Sequence, residues 1–348
     1  MHGYLHTTVN VTQEPFTLSP SQMQYVSTTQ PFYYSPRANL VDWMPDRYFA
    51  LAVPVVAYWL SSLTFHMMDT SDWKWLEKYR IHDSAEVKTR NLVTRWQVIK
   101  AVLLQQVVQT IIGIFWMEET VSGAGVDHVG NMLRLGPSLA RVLTWTVGEK
   151  TGGRLLDTDG GVLLYYLYWW ALPAARFIFG MFIIDTWQYF LHRAMHMNSW
   201  LYKQFHSVHH RLYVPYAFGA LYNHPLEGLL LDTLSGGLAE LISGMTTREA
   251  IVLFAVSTLK TVDDHCGYKM PFDPLQVITS NNADYHDIHH QASLLPNARS
   301  SALMFYVQVI GIKSNFAQPF FVHWDTILRT RMTRKDIEMR RQQQKKSL

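Results

Sequence analysis

The sequence predicts an all-α fold: an integral membrane helical bundle with a cytoplasmic, histidine-rich domain for two metal ions. Three observations point there. Charged residues make up 16% of the 348 positions, against about 25% in ordinary soluble domains. Aromatic residues reach 14%, with 12 Trp and 18 Tyr, the side chains that collect where lipid meets water. The chain also carries 16 histidines, ten of which crowd between positions 192 and 290. A net charge of +3 gives no electrostatic case for a nucleic-acid partner. The single cysteine, Cys266, excludes an intrachain disulfide framework and a cysteine-based zinc ribbon. Histidine and oxygen are left to hold any metal.

Residues 1–46 are polar and broken by Pro15, Pro20, Pro31, Pro36 and Pro45, and read as an extended, poorly ordered arm. No basic segment leads into a long apolar run, so no cleavable signal peptide is expected. Asn10-Val11-Thr12 is a glycosylation sequon. Residues 47–184 are expected to supply membrane helices at about 48–65, 98–117 and 162–184. The first run approaches the roughly 20 residues that cross a hydrocarbon core. Its Pro54 is tolerable in lipid where neighbours satisfy the freed carbonyl. The second carries Lys100, Gln105, Gln106 and Gln109 and reads as an amphipathic helix packed on others. The third is the clearest, interrupted only by Pro173 and Arg176.

Glycine-rich patches at 122–130 and 148–161 do not fit a phosphate loop. Trp145 stands where the first glycine belongs and Lys150 follows Glu149, so both patches read as loops. Within 185–330, the histidine-rich domain, the stretch 226–262 reads as a membrane hairpin of two half-inserted helices, interrupted by Asp232, Glu240 and Lys260. Residues 331–348 form a basic tail.

The segment 66–97 holds six Lys/Arg and 118–161 holds four. The positive-inside rule then places 66–97, the histidine-rich domain and the carboxyl terminus in the cytoplasm, with the amino-terminal arm opposite. The ending Lys345-Lys346-Ser347-Leu348 reads equally as a dilysine retrieval signal for the endoplasmic reticulum or as a plain basic tail.

The histidines fall in a pattern. His192 and His196 form HxxxH; His206, His209 and His210 form HxxHH; His286, His289 and His290 form a second HxxHH. His224 sits in Asn-His-Pro and His265 in Asp-Asp-His-Cys-Gly. Helix positions i, i+3 and i+4 share a face. HxxxH therefore aims two imidazoles at one point, and HxxHH aims the first and one or both of the last pair alike. One first-row metal takes about four to six ligands, so this number suits two ions. An imidazole set suits Fe, Zn, Cu or Ni and disfavours Mg or Ca. Four-helix di-iron proteins use similar spacing. HxxxH lacks the glutamate of HExxH, which speaks against a zinc peptidase. His2, His6, His66, His82 and His128 have no such company and read as surface or packing residues. An alkyl C–H bond has no acidic proton and no leaving group. If the reactant is apolar, the chemistry needs a redox-active metal pair, O2 and two electrons.

The order HxxxH, HxxHH, NHP, HCG, HxxHH resembles the membrane fatty acid hydroxylase/sterol desaturase superfamily. The strings DTWQYFLHRAMH, FHSVHHRLYVPYAFGALYNHPLEGLLLDT, TVDDHCGY, NNADYHDIHHQ and NFAQPFFVHWD resemble its sphinganine C4-hydroxylase branch. The resemblance spans about 185–291 and 311–330, is weaker over 46–184, and is absent from the first 45 residues. It implies a monooxygenase of the endoplasmic reticulum membrane with two Fe ions, and 185–330 as its catalytic domain. It implies O2 and NAD(P)H-derived electrons arriving through a reductase and cytochrome b5, which are separate partners because this chain has no HPGG segment. It implies hydroxylation at C4 of a sphingoid base or ceramide precursor (dihydroceramide).

The ligands it implies are His192, His196, His206, His209, His210, His224, His265, His286, His289 and His290; His323 is not among them. Beside these, Asp264 and Asp287 either orient imidazoles or are ordinary helix-end acids. Tyr216 and Tyr285 either line the substrate slot or pack. Two departures stand out. The stretch 292–310 intervenes before Gly311, where the family text resumes, and reads as a natural loop or as translated intron. Arg329 stands where the family commonly has glycine. Two alternatives stay open: the same site desaturating lipids or hydroxylating a sterol or fatty acid, and a non-catalytic membrane protein with structural zinc.

Overall fold

The apolar runs fold as helices that extend beyond the runs themselves. In the computed structural model, which describes residues 16–71, 73–118, 122–291 and 314–346, the first run lies within Asp46–Thr70. The second lies in Arg95–Trp116. The third belongs to Glu149–Tyr166, a π-helical turn at Leu167–Ala171, and Leu172–Met197. Pro54 is accommodated inside its helix. Arg95–Trp116 starts at a capping box: Thr94 Oγ1 accepts from Gln97 N, and Gln97 Oε1 accepts from Thr94 N at 2.8 Å. Asp46–Thr70, Arg95–Trp116 and Glu149–Met197 are long and apolar enough to cross a membrane. Their outer faces expose Leu60, Leu104, Ile111, Phe115 and Ile178, as lipid-facing helices do. These helices mark the chain as a membrane protein. The described residues form no strand, only isolated bridges. The Asn10 sequon and the 292–310 stretch lie outside the described residues.

The chain divides into two compact units. The first comprises Met1–Leu40 and Val121–Ala175. Here two expectations are corrected. The described part of the amino-terminal arm contains a helix, Pro20–Thr28, opened by a Ser19/Gln22 capping box with Pro20 at its first turn. It buries Val26 among Met132, Tyr165 and Trp169, and Gln22 Nε2 donates to the carbonyl of Leu156 at 2.9 Å. The glycine-rich patch 148–161 is helical, in Glu149–Tyr166, which parts from His128–Val147 at Gly148 with φ +82°, whereas 122–130 is mostly loop with a 3-10 turn at Gly123–Gly125. Glycine reads as a helix breaker, but Gly152, Gly160 and Gly161 each stand where a Cβ would press on a neighbouring helix. A Cβ on Gly161 would lie 3.0 Å from Gln22.

The second unit comprises Val41–Thr120 and Arg176–Leu348. In it Asp46–Thr70 packs along Thr247–Asp264. The hairpin expected at 226–262 is present as Leu234–Ser243 and Thr247–Asp264, reversed at Gly244 with φ +65°. Its start is irregular: a short turn, Pro225–Gly228, then a π-helical turn, Leu229–Thr233. Part of 66–97 is helical at Ser84–Arg90. The described part of the basic tail forms Arg334–Lys346. Arg334 ties that helix to Ala283–Gln291, donating to Asp287 at 2.9 Å and to Asp284.

Candidate metal centre

Helix Leu172–Met197 carries His192 and His196 one turn apart near its end. The chain then turns through Asn198, whose side chain caps the next short helix. His206 ends a π-helical turn, Tyr202–His206, in which Ser207 N donates to Tyr202 O at 2.8 Å. His209 and His210 follow in a 3-10 turn. The first HxxHH is therefore not regular α-helix; the wider π turn re-aims its rings, as such turns do at functional sites. The second HxxHH lies on the regular helix Ala283–Gln291. His265 closes helix Thr247–Asp264 from just beyond its last residue.

Nine of the ten proposed ligands converge in two groups. His192, His196, His206, His210 and His289 form one; His209, His265, His286 and His290 form the other. Within each group the ligand atoms lie within 4.8 Å of one another. None of the nine is more than 4% exposed. The two HxxHH motifs cross over. In each, the first and last histidines serve one group and the middle one serves the other. For the second motif, on a regular helix, geometry explains this: neighbours on the chain point about 100° apart, whereas i and i+4 differ by only about 40°.

The far nitrogens fix the chemistry of the near ones. Nδ1 of His192 donates to the Phe316 carbonyl at 2.9 Å, and that of His289 to Ser314 at 2.9 Å. Nδ1 of His209 donates to Tyr222 at 3.1 Å and that of His265 to Thr261 at 2.8 Å. His206 Nδ1 bonds to Glu227. A carbonyl can only accept, so the ring proton sits on Nδ1 and Nε2 is a bare lone pair. Burial pushes His206, His265 and His289 down to about 3 and His209 to about 4, which keeps these rings neutral. Yet the Nε2 atoms face one another: His192 to His206 at 3.0 Å, His196 to His289 at 3.1 Å, and His265 to His286 at 3.0 Å. Where His206 Nδ1 donates to the Glu227 carboxylate, both rings of the His192–His206 pair hold their proton on Nδ1 and no hydrogen bond joins their Nε2 atoms. A cation between such atoms converts repulsion into ligation. Nε2 of His209 is buried with no protein partner at all. These donors fit a pair of nitrogen-bound transition-metal ions.

His224 joins neither group. It caps the Pro225–Gly228 turn, its Nδ1 accepting from Leu226 N at 3.2 Å, and its ring lies 5.0 Å from that of Phe205. Asp264 and Asp287, the acids beside the clustered histidines, bond to no ring of either group among the described residues. Asp264 accepts from Lys260 and from Asn281 at 3.0 Å, and no bond joins it to an imidazole. Asp287 accepts from His82 Nε2 at 2.8 Å and from Arg334. His82, read as a lone residue, thus braces the helix that bears three ligands. Tyr216 packs in the core with Tyr58 and Val98, and Tyr285 donates to Asp325 at 2.8 Å; neither lines a cavity.

Sequence reasoning missed three carboxylates. Glu227 is 1% exposed and holds His206; its signal was the acid that ends NHPLE. Asp325 accepts from Phe316 N at 3.1 Å and Ala317 N at 2.8 Å. Asp185 accepts from Phe320 N at 2.9 Å and Phe321 N at 2.8 Å. Together Asp185 and Asp325 pin the segment whose carbonyls orient His192 and His289. Acids set in apolar text, DTWQYF and VHWD, were their trace.

A largely apolar cavity of about 330 Å³ lies among helices Asp46–Thr70, Arg95–Trp116, Leu234–Ser243 and Thr247–Asp264. A smaller one of about 30 Å³ touches His206, His209, His265 and His286. Gln188, Asp232 and Thr261 line both.

The family model for fatty acid hydroxylase matches residues 177–330. The chain is 45% identical to a sphingolipid C4-hydroxylase of Saccharomyces cerevisiae, over 85% of this chain and 74% of that protein. It is 41% identical to a sphinganine C4-monooxygenase of Arabidopsis thaliana, over 82% and 88%. It is also 37% identical to a protein of Oryza sativa named as a very-long-chain aldehyde decarbonylase, over 84% and 93%. No solved structure gives a significant match. Paired histidine groups and this family together fit a metal-dependent oxygenase. Carrying the family's match across its histidine groups, and similar over most of its length to named C4-hydroxylases, the chain belongs to the fatty acid hydroxylase family.

Proposed function

We propose that this protein is a membrane-bound sphingolipid C4-hydroxylase, a monooxygenase with two iron ions acting on a sphingoid base or dihydroceramide. The observation that carries the reading is the pair of buried imidazole groups, their bare nitrogens face to face beside an apolar cavity. Bound there, the iron pair supplies the redox capacity that lets O2 attack an unactivated C–H bond. His192, His196, His206, His210 and His289 would hold one ion, and His209, His265, His286 and His290 the other. Backbone carbonyls hold the Nδ1 protons in place, and Glu227 does the same for His206. The protein's remaining task is to exclude water and seat the alkyl chain. Leu51, Ile112, Leu230 and Phe254 supply apolar wall for that.

Electrons from NAD(P)H are proposed to reach the site from cytochrome b5 and its reductase as separate proteins. The setting proposed is the endoplasmic reticulum membrane, crossed several times, with residues 185–330 working on the cytoplasmic side. The excess of Lys/Arg in 66–97 supports that orientation.

The test is expression in cells that lack 4-hydroxylated long-chain bases, with and without residues 292–310, followed by mass spectrometry of the lipids. Bases heavier by one oxygen at C4 are expected. Hydrocarbon made from long-chain aldehyde would instead favour the chemistry in the rice protein's name. His206→Ala and His289→Ala are each expected to abolish turnover and lower bound iron; full activity in either would overturn the ligand set.

A further inference from the structure

Where the two cavities meet, one carboxylate stands in the wall. Asp232 lines both the large cavity and the small one that touches four of the histidines. A space of about 30 Å³ has room for about one water. Groups on its wall therefore face one another across a very short gap. Asp232 sits on the π-helical turn Leu229–Thr233, and Gln105 Nε2 donates to its Oδ2 at 3.2 Å. Two other buried residues, one on each cavity, hold a polar atom with no hydrogen-bond partner among the described residues. Gln106, 6% exposed, lines the large cavity and keeps Nε2 unbonded while its Oε1 accepts from Trp59 at 3.0 Å. Glu227, 1% exposed, lines the small cavity and keeps Oε2 unbonded. A carboxylate facing a confined space is stabilised either by taking up a proton or by meeting a cation.

A free sphingoid base offers such a cation. Its ammonium is on C2, so three bonds separate the nitrogen from C4, with hydroxyls on C1 and C3 and saturated hydrocarbon beyond C4. With C4 at the histidine groups, the ammonium must fall within a few ångströms of them. Taking the C4-hydroxylase reading as its basis, we infer that Asp232 anchors the ammonium of a free sphingoid base, so that the base rather than its N-acyl derivative is the substrate. The anchor then also selects the carbon: it measures three bonds from nitrogen to the site of reaction. An N-acylated base is neutral at that nitrogen, cannot pair with the carboxylate, and brings a second chain for which Asp232 has no use.

The experiment is equilibrium binding of radiolabelled sphinganine and of N-acylsphinganine to purified full-length protein, wild type and Asp232→Asn, with bound metal measured in each. The wild type is expected to prefer the free base. Asp232→Asn is expected to weaken base binding by about tenfold or more, as loss of a charge-assisted bond does, while N-acylsphinganine binding and metal content stay level. In turnover, KM for the base should rise more than kcat falls, and hydroxylation away from C4 should increase. Equal wild-type affinity for both lipids, or parallel losses for both in the variant, would overturn the anchor. Asp232-dependent binding of the base without any 4-hydroxylated product would refute the reaction and leave the anchor standing. Undiminished product and unchanged KM in Asp232→Asn would refute the anchor and leave the reaction standing.

Discussion

Five imidazoles in the metal groups, those of His192, His206, His209, His265 and His289, are aimed by what their far nitrogens touch, and for His206 that partner is the carboxylate of Glu227. Glu227→Gln keeps the shape and removes the charge. Bound metal and activity are expected to fall by about ten- to a hundredfold, as when other outer supports of metal ligands are removed; metal analysis of the purified variant checks this. His224→Ala is expected to retain full metal content, because that ring spends its nitrogen on the Leu226 amide. The same metal assay separates the two residues. The clustering of nine histidines was legible because their spacing is itself geometric information. His224 was not, because a motif gives a residue's place in the chain and not the direction of its nitrogen. Glu227 was hidden because its partner lies 21 residues away in sequence.

The segment from Ser314 to Asp325 has little regular structure, yet it orients two ligands. Its carbonyls at Ser314 and Phe316 receive the Nδ1 protons of His289 and His192. Asp325 holds that backbone through two amides and the Tyr285 hydroxyl. Asp325→Ala would leave buried donors unpaired, each worth about 1–3 kcal/mol. A lowered melting temperature together with reduced bound metal is expected, measured on detergent-solubilised protein. Apolar length made the membrane helices legible. The glycine patch at 148–161 misled because composition marks a glycine as a breaker and cannot show that a neighbouring helix needs the space, as Gln22 does beside Gly161. The described part of the amino-terminal arm misled likewise: its prolines suggested irregular chain, but Pro20 opens a helix.

At the scale of the whole chain, the histidine-rich domain sits in one unit with Asp46–Thr70 and Arg95–Trp116, membrane-capable helices that help wall the large cavity. Three membrane-capable helices and two histidine groups were foreseeable from composition and spacing; the crossing of the two HxxHH motifs was not. His209 and His210 are consecutive residues that serve different groups, and so are His289 and His290. A backbone posture that seats one ion at such a pair presets the place of the other. Filling is thus expected to be cooperative. Titrated with iron, the stripped protein should pass from empty to doubly loaded along a sigmoidal curve. Native mass spectrometry should find the singly loaded species scarce throughout. A cell short of iron would then hold some molecules complete and others bare, rather than a population of half-built ones.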